Sequence, residues 1–159
     1  MEIGATKSVQ DRLKTTKIEE SKGASLVFCW DTHLTKIKGR NVLFIVNASN
    51  RYTIAMTDIE PRNWNYYAMY IIRVIHGMMQ EMGYSEEQIE QYFKMSGDTT
   101  VTKTHGRKSV GGINRMVMDA QYFGKKLEKE AKYQWELSEY LNRDICQPEG
   151  FDAYGYPNE

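Results

Sequence analysis

Five consecutive apolar residues, Val42-Leu43-Phe44-Ile45-Val46, constrain this chain more than any other stretch. A strand has two faces, and a run without alternate polar positions can turn neither face to water. The run therefore predicts a central strand covered on both sides. Turn signals bound it, with Lys38-Gly39-Arg40 before and Asn47-Ala48-Ser49-Asn50 after. Upstream, Ser25 to Lys36 alternates through Leu26, Phe28, Trp30, Thr32 and Leu34. Downstream, Arg51 to Thr57 alternates through Tyr52, Ile54 and Met56. Together the three segments predict an antiparallel meander.

Elsewhere the spacing is mostly helical. Met1 to Ala5 reads as a short opening strand, and Thr6 as the cap of a short helix with Val9 and Leu13 inward. Lys17 to Ser25 is polar and reads as a loop. Pro61 bars helix at Glu60, and Asn63 is the expected N-cap of a helix running from Trp64 to Met82. Its apolar residues Tyr67, Ile71, Ile75, Met78 and Met82 recur at the helical period, and Gly83 ends it. Ser85 and Gln88 form a capping box for the next helix. The β-branched stretch from Asp98 to Thr104 predicts a strand at the edge of the meander. Val110 to about Asn142 predicts a long helix, with Gly124 as a kink.

A length of 159 residues suits one domain. The expected fold is α+β: an antiparallel sheet of four or five strands packed by helices on one face, over residues 1–123. A C-terminal helix over 124–143 packs on it, and an acidic, aromatic tail spans 144–159. Lys plus Arg and Asp plus Glu both number 21, which argues against a general nucleic-acid coat protein. Cys29 and Cys146 are far apart, and neither C-x-x-C nor H-E-x-x-H occurs. No metal centre, redox pair or cofactor is expected on that spacing. No segment approaches the ~20 apolar residues of a membrane span, so the chain reads as cytoplasmic with reduced thiols.

Chemistry concentrates between Thr102 and Asn114. This stretch holds Lys103, His105, Arg107 and Lys108, and no acid falls between Asp98 and Asp119. The predicted order is strand, turn, helix. Ser109 is the expected N-cap, and Gly111 and Gly112 would open the first-turn amides to a ligand. Helix N-termini hold anions through such amides. Lys103, Thr104, His105, Arg107, Lys108, Ser109, Gly111 and Asn114 thus form a candidate anion or partner site. The G-x-x-x-x-G-K-[ST] order of a nucleotide loop is absent. Asp31 and His33, two apart on one predicted strand, are secondary candidates as an acid–imidazole pair. Nine methionines suit an adaptable core or contact surface.

Several of these residues occur in a family-like order. Trp30-Asp31-Thr32-His33-Leu34 is followed by an apolar strand ending in Asn47, by Asn50-Arg51-Tyr52, and by Thr102-Lys103-Thr104 leading through Arg107-Lys108-Ser109-Val110 to Asn114. Over about residues 1–118 this resembles a family of small bacterial proteins known as a domain of unknown function, also found on plasmids and prophages. Many members carry histidine where Asp31 stands; here histidine lies at 33. The resemblance gives no activity. It groups Lys103, Thr104, Arg107, Ser109 and Asn114 as a unit, and presents the segment beyond Phe123 as an extension particular to this chain.

The expected function is a non-catalytic binding protein. Its partner would be a protein, a nucleic acid or a phosphorylated ligand such as a nucleotide, met by the Lys103–Arg115 surface and the C-terminal extension. In a mobile-element setting, an inhibitor of a host defence complex is one form of this. A homodimer through the C-terminal segment is also expected. The competing class is an enzyme on a phosphorylated or nucleic-acid substrate, with His33 or His105 as acid–base and Lys103 and Arg107 on phosphate.

Overall fold

The computed structural model describes residues 1–15 and 18–158. Lys17, at the start of the expected loop, and Glu159, at the end of the expected tail, lie outside the described residues, as does Thr16. The five strands are β1 (Glu2–Ala5), β2 (Cys29–Ile37), β3 (Arg40–Asn47), β4 (Thr53–Thr57) and β5 (Thr100–Thr102). They form one sheet in the order β4-β3-β2-β1-β5. The meander β2–β3–β4 is antiparallel, as the alternation predicts. Lys38 and Gly39 both take positive φ in its first turn, which matches the right-handed twist of the strands on either side. The second turn is built by Asn47, whose side-chain oxygen accepts from the amides of Ser49 and Asn50.

The sheet is mixed rather than antiparallel. β1 lies parallel between β2 and β5, so β5 joins β1 and not the meander. This pairing follows from connection length: α1 (Lys7–Leu13) and the segment after it separate β1 from β2, room enough for a crossover.

Helices cover both faces, not one. α3 (Tyr67–Glu81) and α4 (Glu86–Ser96) pack on the first face, where Ile3, Trp30, Leu43, Ile45 and Ile54 meet Ile71, Ile75 and Ile89. α5 (Arg107–Gln121) and α6 (Trp135–Asn142) cover the second, where Val42, Phe44 and Val46 meet Ile113, Met116, Leu137 and Leu141. β3 alternates between the two layers, which is why its apolar run is unbroken. Val42→Asp and Ile45→Asp each test one layer. Each buries an unpaired charge and is expected to cost about 3 kcal/mol or more in urea unfolding, through opposite faces of the same strand. An unchanged midpoint for either would remove the helix layer assigned to that face.

Local signals placed most helix ends. The Ser85–Gln88 capping box is present, and Gly83, at positive φ, follows the last turn of α3. Near Pro61 the outcome differs. Pro61 occupies the first turn of a short helix, α2 (Pro61–Asn65), and Tyr66 separates it from α3, so Asn63 is inside a helix and not a cap.

The expected long helix from Val110 to Asn142 is two helices joined by irregular chain. The reason lies at β4. Its outer edge would otherwise expose unpaired backbone, a surface that invites other strands. The joining segment takes that edge: the Thr57 amide donates to Lys132, and the Gln134 amide donates to Ala55. The side chains of α6 continue the cover. Ser138 accepts from the Ala55 amide at 3.0 Å, and Asn142 both accepts from and donates to the backbone of Thr53. The tail is held through Cys146, whose backbone pairs with Gly155, and through buried Pro157; Tyr154 and Tyr156 stay exposed. No helix of the described residues is long and apolar enough to cross a membrane.

Candidate functional site

The parallel register of β1 determines what meets at the second face. Glu2 pairs with Cys29 and Gly4 with Asp31 on one side, while Gly4 pairs with Thr102 on the other. Side chains alternate along strands. Ile3 and Trp30 therefore enter the first core, and Glu2, Cys29 and Asp31 share the opposite face. The turn after β5 then brings His105 down onto this group.

His105 is gripped from both sides. Its Nδ1 lies 2.7 Å from Asp31 Oδ1, and its Nε2 lies 3.0 Å from Glu2 Oε2. Two carboxylates accepting from two ring nitrogens describe a doubly protonated imidazole. Burial opposes that charge, but the hydrogen bonds to Asp31 and Cys29 outweigh it and push the ring up to about 10. Asp31 also accepts from the His105 backbone amide at 3.2 Å and from the Ser109 hydroxyl. Glu2 accepts from Ser21 Oγ at 2.6 Å and from the Lys22 amide at 2.8 Å. Burial pushes the Glu2 carboxyl up, yet these bonds and His105 hold it below its ordinary value. The side chains are closed to solvent: Asp31 is 0 % and His105 2 % exposed.

Gly4 makes the arrangement possible. A Cβ there would fall 1.8 Å from Asp31 Oδ1 and 3.1 Å from His105 Nδ1. Only a residue without a side chain leaves the carboxylate its place.

The expected anion site is rearranged accordingly. α5 starts at Arg107, with Gly106 at its N-cap at a φ of 93°, so Ser109 is not the cap but a first-turn residue turned onto Asp31. Gly111 and Gly112 fall beyond the free amides of the first turn. Gly112 instead lets the Arg51 guanidinium lie against the helix, where a Cβ would be 2.8 Å from its Nε. Beneath this turn the chain's own carboxylate, Asp31, accepts from the His105 amide and the Ser109 hydroxyl. Lys103 forms an ion pair with Glu20, and Lys108 lies 3.6 Å from Glu149. Arg107 and Asn114 are exposed, and Thr104 is half-buried. The residues singled out from sequence thus separate into an inward pair, His105 and Ser109, an outward set on α5, Arg107, Lys108, Gly111 and Asn114, and Lys103 and Thr104 ahead of the helix.

Asp31 and His33 do not pair with each other. Asp31 takes His105, and His33 Nδ1 lies 3.1 Å from Thr6 Oγ1. Burial pushes the His33 imidazole below its ordinary value. An apolar cleft of about 350 Å³ opens elsewhere, among Trp30, Tyr52, Met78, Met79 and Tyr92, and neither His33 nor His105 lines it. Glu2 and Gly4 are the members that sequence reading does not reach. An acid inside the short apolar strand Met1–Ala5 is the signal that points to them.

The family model for a domain of unknown function (DUF6933) matches residues 2–159, and the chain belongs to that family. The matched span runs through α6 and the tail, so the segment beyond Phe123 is part of the family domain and not an addition peculiar to this chain. No curated protein and no solved structure matches.

Proposed function

We propose that this is a non-catalytic binding protein whose contact surface is the outer face of α5, and that its partner is a protein. The observation that carries this reading is the division of the strand–turn–helix. Its acid–base groups are buried in hydrogen bonds with one another, while one helical stripe stays free. That stripe runs through Arg107, Gly111, Asn114, Met118 and Tyr122, spaced three to four residues apart. Met118 is 61 % and Tyr122 80 % exposed. Arginine, methionine and tyrosine are the side chains that protein interfaces concentrate. Gly111, with open space above it, lets a partner approach the helix closely.

Charge argues for a protein over a nucleic acid. Affinity for nucleic acid grows with the number of phosphates that free cations neutralise. On this surface Lys103, Lys108 and Arg115 are paired with Glu20, Glu149 and Asp119, which leaves Arg107 as the exposed cation without an ion pair among the described residues. One free arginine beside two exposed apolar side chains suits a mixed protein surface with an acidic spot.

The test places a photoreactive residue at Met118 in the source cells. It should crosslink one discrete protein partner, unaffected by nuclease. Arg107→Glu with Tyr122→Ala should reduce that product at least tenfold without changing the melting temperature. A product removed by nuclease would assign the surface to nucleic acid instead. Equal crosslinking in the double variant would reject the surface.

A further inference from the structure

We propose that Glu2, Cys29 and His105 form a binding site for a divalent metal ion of the zinc type. A carboxylate oxygen, a thiol sulfur and a ring nitrogen of these residues all lie within 4.8 Å of one another. They come from three separate elements, β1, β2 and the turn before α5. The register that sets Glu2 beside Cys29 is held by the sheet itself. Tetrahedral zinc, with bonds of about 2.0–2.3 Å, places its donors about 3.3–3.8 Å apart. His105 Nε2 and Glu2 Oε2 are 3.0 Å apart and the Cys29 sulfur lies within 4.8 Å of both, so convergence needs shifts on the order of an ångström, the sulfur giving up its contacts to the Ala24 and Ser25 carbonyls.

The donor types select the ion. One sulfur, one nitrogen and one oxygen suit a borderline cation, whereas calcium and magnesium require oxygen ligands. The surroundings have the form that metal-ligating histidines require. Asp31 takes the Nδ1 proton, which turns Nε2 toward Glu2 and Cys29. Asp31 is itself fixed by Ser109 and by the His105 amide, and the other oxygen of Glu2 by the Lys22 amide. Such outer contacts set the tautomer and the ring orientation of a ligand histidine.

The ion would take the place of two protons. The Nε2 hydrogen now shared with Glu2 and the Cys29 S–H hydrogen leave to solvent, giving one nitrogen–metal and one sulfur–metal bond, with Glu2 as third ligand. Three protein ligands leave a fourth position for water. Access runs through the exposed stretch Ser21–Gly23, whose Ser21 hydroxyl rests on Glu2.

Cobalt(II) tests the site, because sulfur bound to it gives a near-ultraviolet charge-transfer band. The full chain, stripped with chelator, is titrated with cobalt(II) and then with zinc. The band should grow to one equivalent of cobalt, vanish as zinc displaces it, and survive Cys146→Ser. Cys29→Ser, nearly isosteric, should abolish the band and weaken zinc binding at least tenfold against a chromophoric chelator. His105→Gln should weaken zinc binding by a similar factor, and circular dichroism in metal-free buffer confirms that both variants are folded. Absence of the band in the folded wild-type chain overturns the proposal. So does zinc affinity unchanged by Cys29→Ser, or a band that disappears with Cys146→Ser.

Discussion

Gly4→Ala is expected to cost roughly 3–5 kcal/mol in urea unfolding under metal-free conditions, more than a methyl group added at any exposed position. The added Cβ would stand 1.8 Å from Asp31 Oδ1, far inside contact distance. The strand cannot retreat, because Gly4 is bonded on both sides, to β2 and to β5. Asp31 must therefore move, and its partners move with it: the His105 ring and amide, and the Ser109 hydroxyl. Overpacking alone accounts for about 1–3 kcal/mol. The remainder comes from leaving a buried carboxylate and a buried imidazolium incompletely paired. A loss below about 1 kcal/mol would mean that Asp31 has somewhere else to go, and that the network is not the rigid object described above.

Reading the sequence reaches the meander because every signal for it is local. Alternation in Arg51–Thr57, the Lys38–Gly39 turn and the Asn47 turn each lie within a few residues, and each names its own partner strand. The Ser85–Gln88 box is legible for the same reason. The second helix layer is legible only in part. The unbroken run Val42–Val46 requires cover on both faces, yet α5 and α6 are amphipathic stretches that could equally lie on one. What divides them is the use of residues 131–134 to close the edge of β4, a demand that arises from the sheet and not from the segment's own pattern. Leu127 joins the second core from irregular chain, and so mimics a helical stripe.

The site shows the same boundary. His105, Ser109 and Asp31 are identifiable as chemically capable residues, but their partnership is not. Asp31 has His33 two positions away and His105 seventy-four away, and the distant one takes it. The choice is made by β1, a four-residue strand with no alternation of its own, which threads parallel between β2 and β5 and carries Glu2 and Gly4 to the junction. The imidazole arrives from the turn after β5, the edge strand on the other side of β1.

Asp31→Ala is expected to be as damaging, with a loss of about 3–5 kcal/mol, and its comparison with three related variants separates the causes. Removing the carboxylate strands one imidazolium N–H, one backbone amide and one hydroxyl at a buried place. Each unpaired buried donor costs about 1–3 kcal/mol. Asp31→Asn keeps the volume and one oxygen acceptor but gives up the charge that balances His105, so its cost should lie below that of Asp31→Ala. Ser109→Ala removes one donor together with its need, and about 1 kcal/mol is expected. The decisive measurement is the cycle with Gly4→Ala. If the methyl at position 4 destabilises by colliding with Asp31, then in the Asp31→Ala background the same methyl enters vacated space. Its cost should then fall by at least 2 kcal/mol. Additive losses in the double variant would show that Gly4 is required by the strand backbone alone, and that the space it leaves is not what holds Asp31, His105 and Glu2 together.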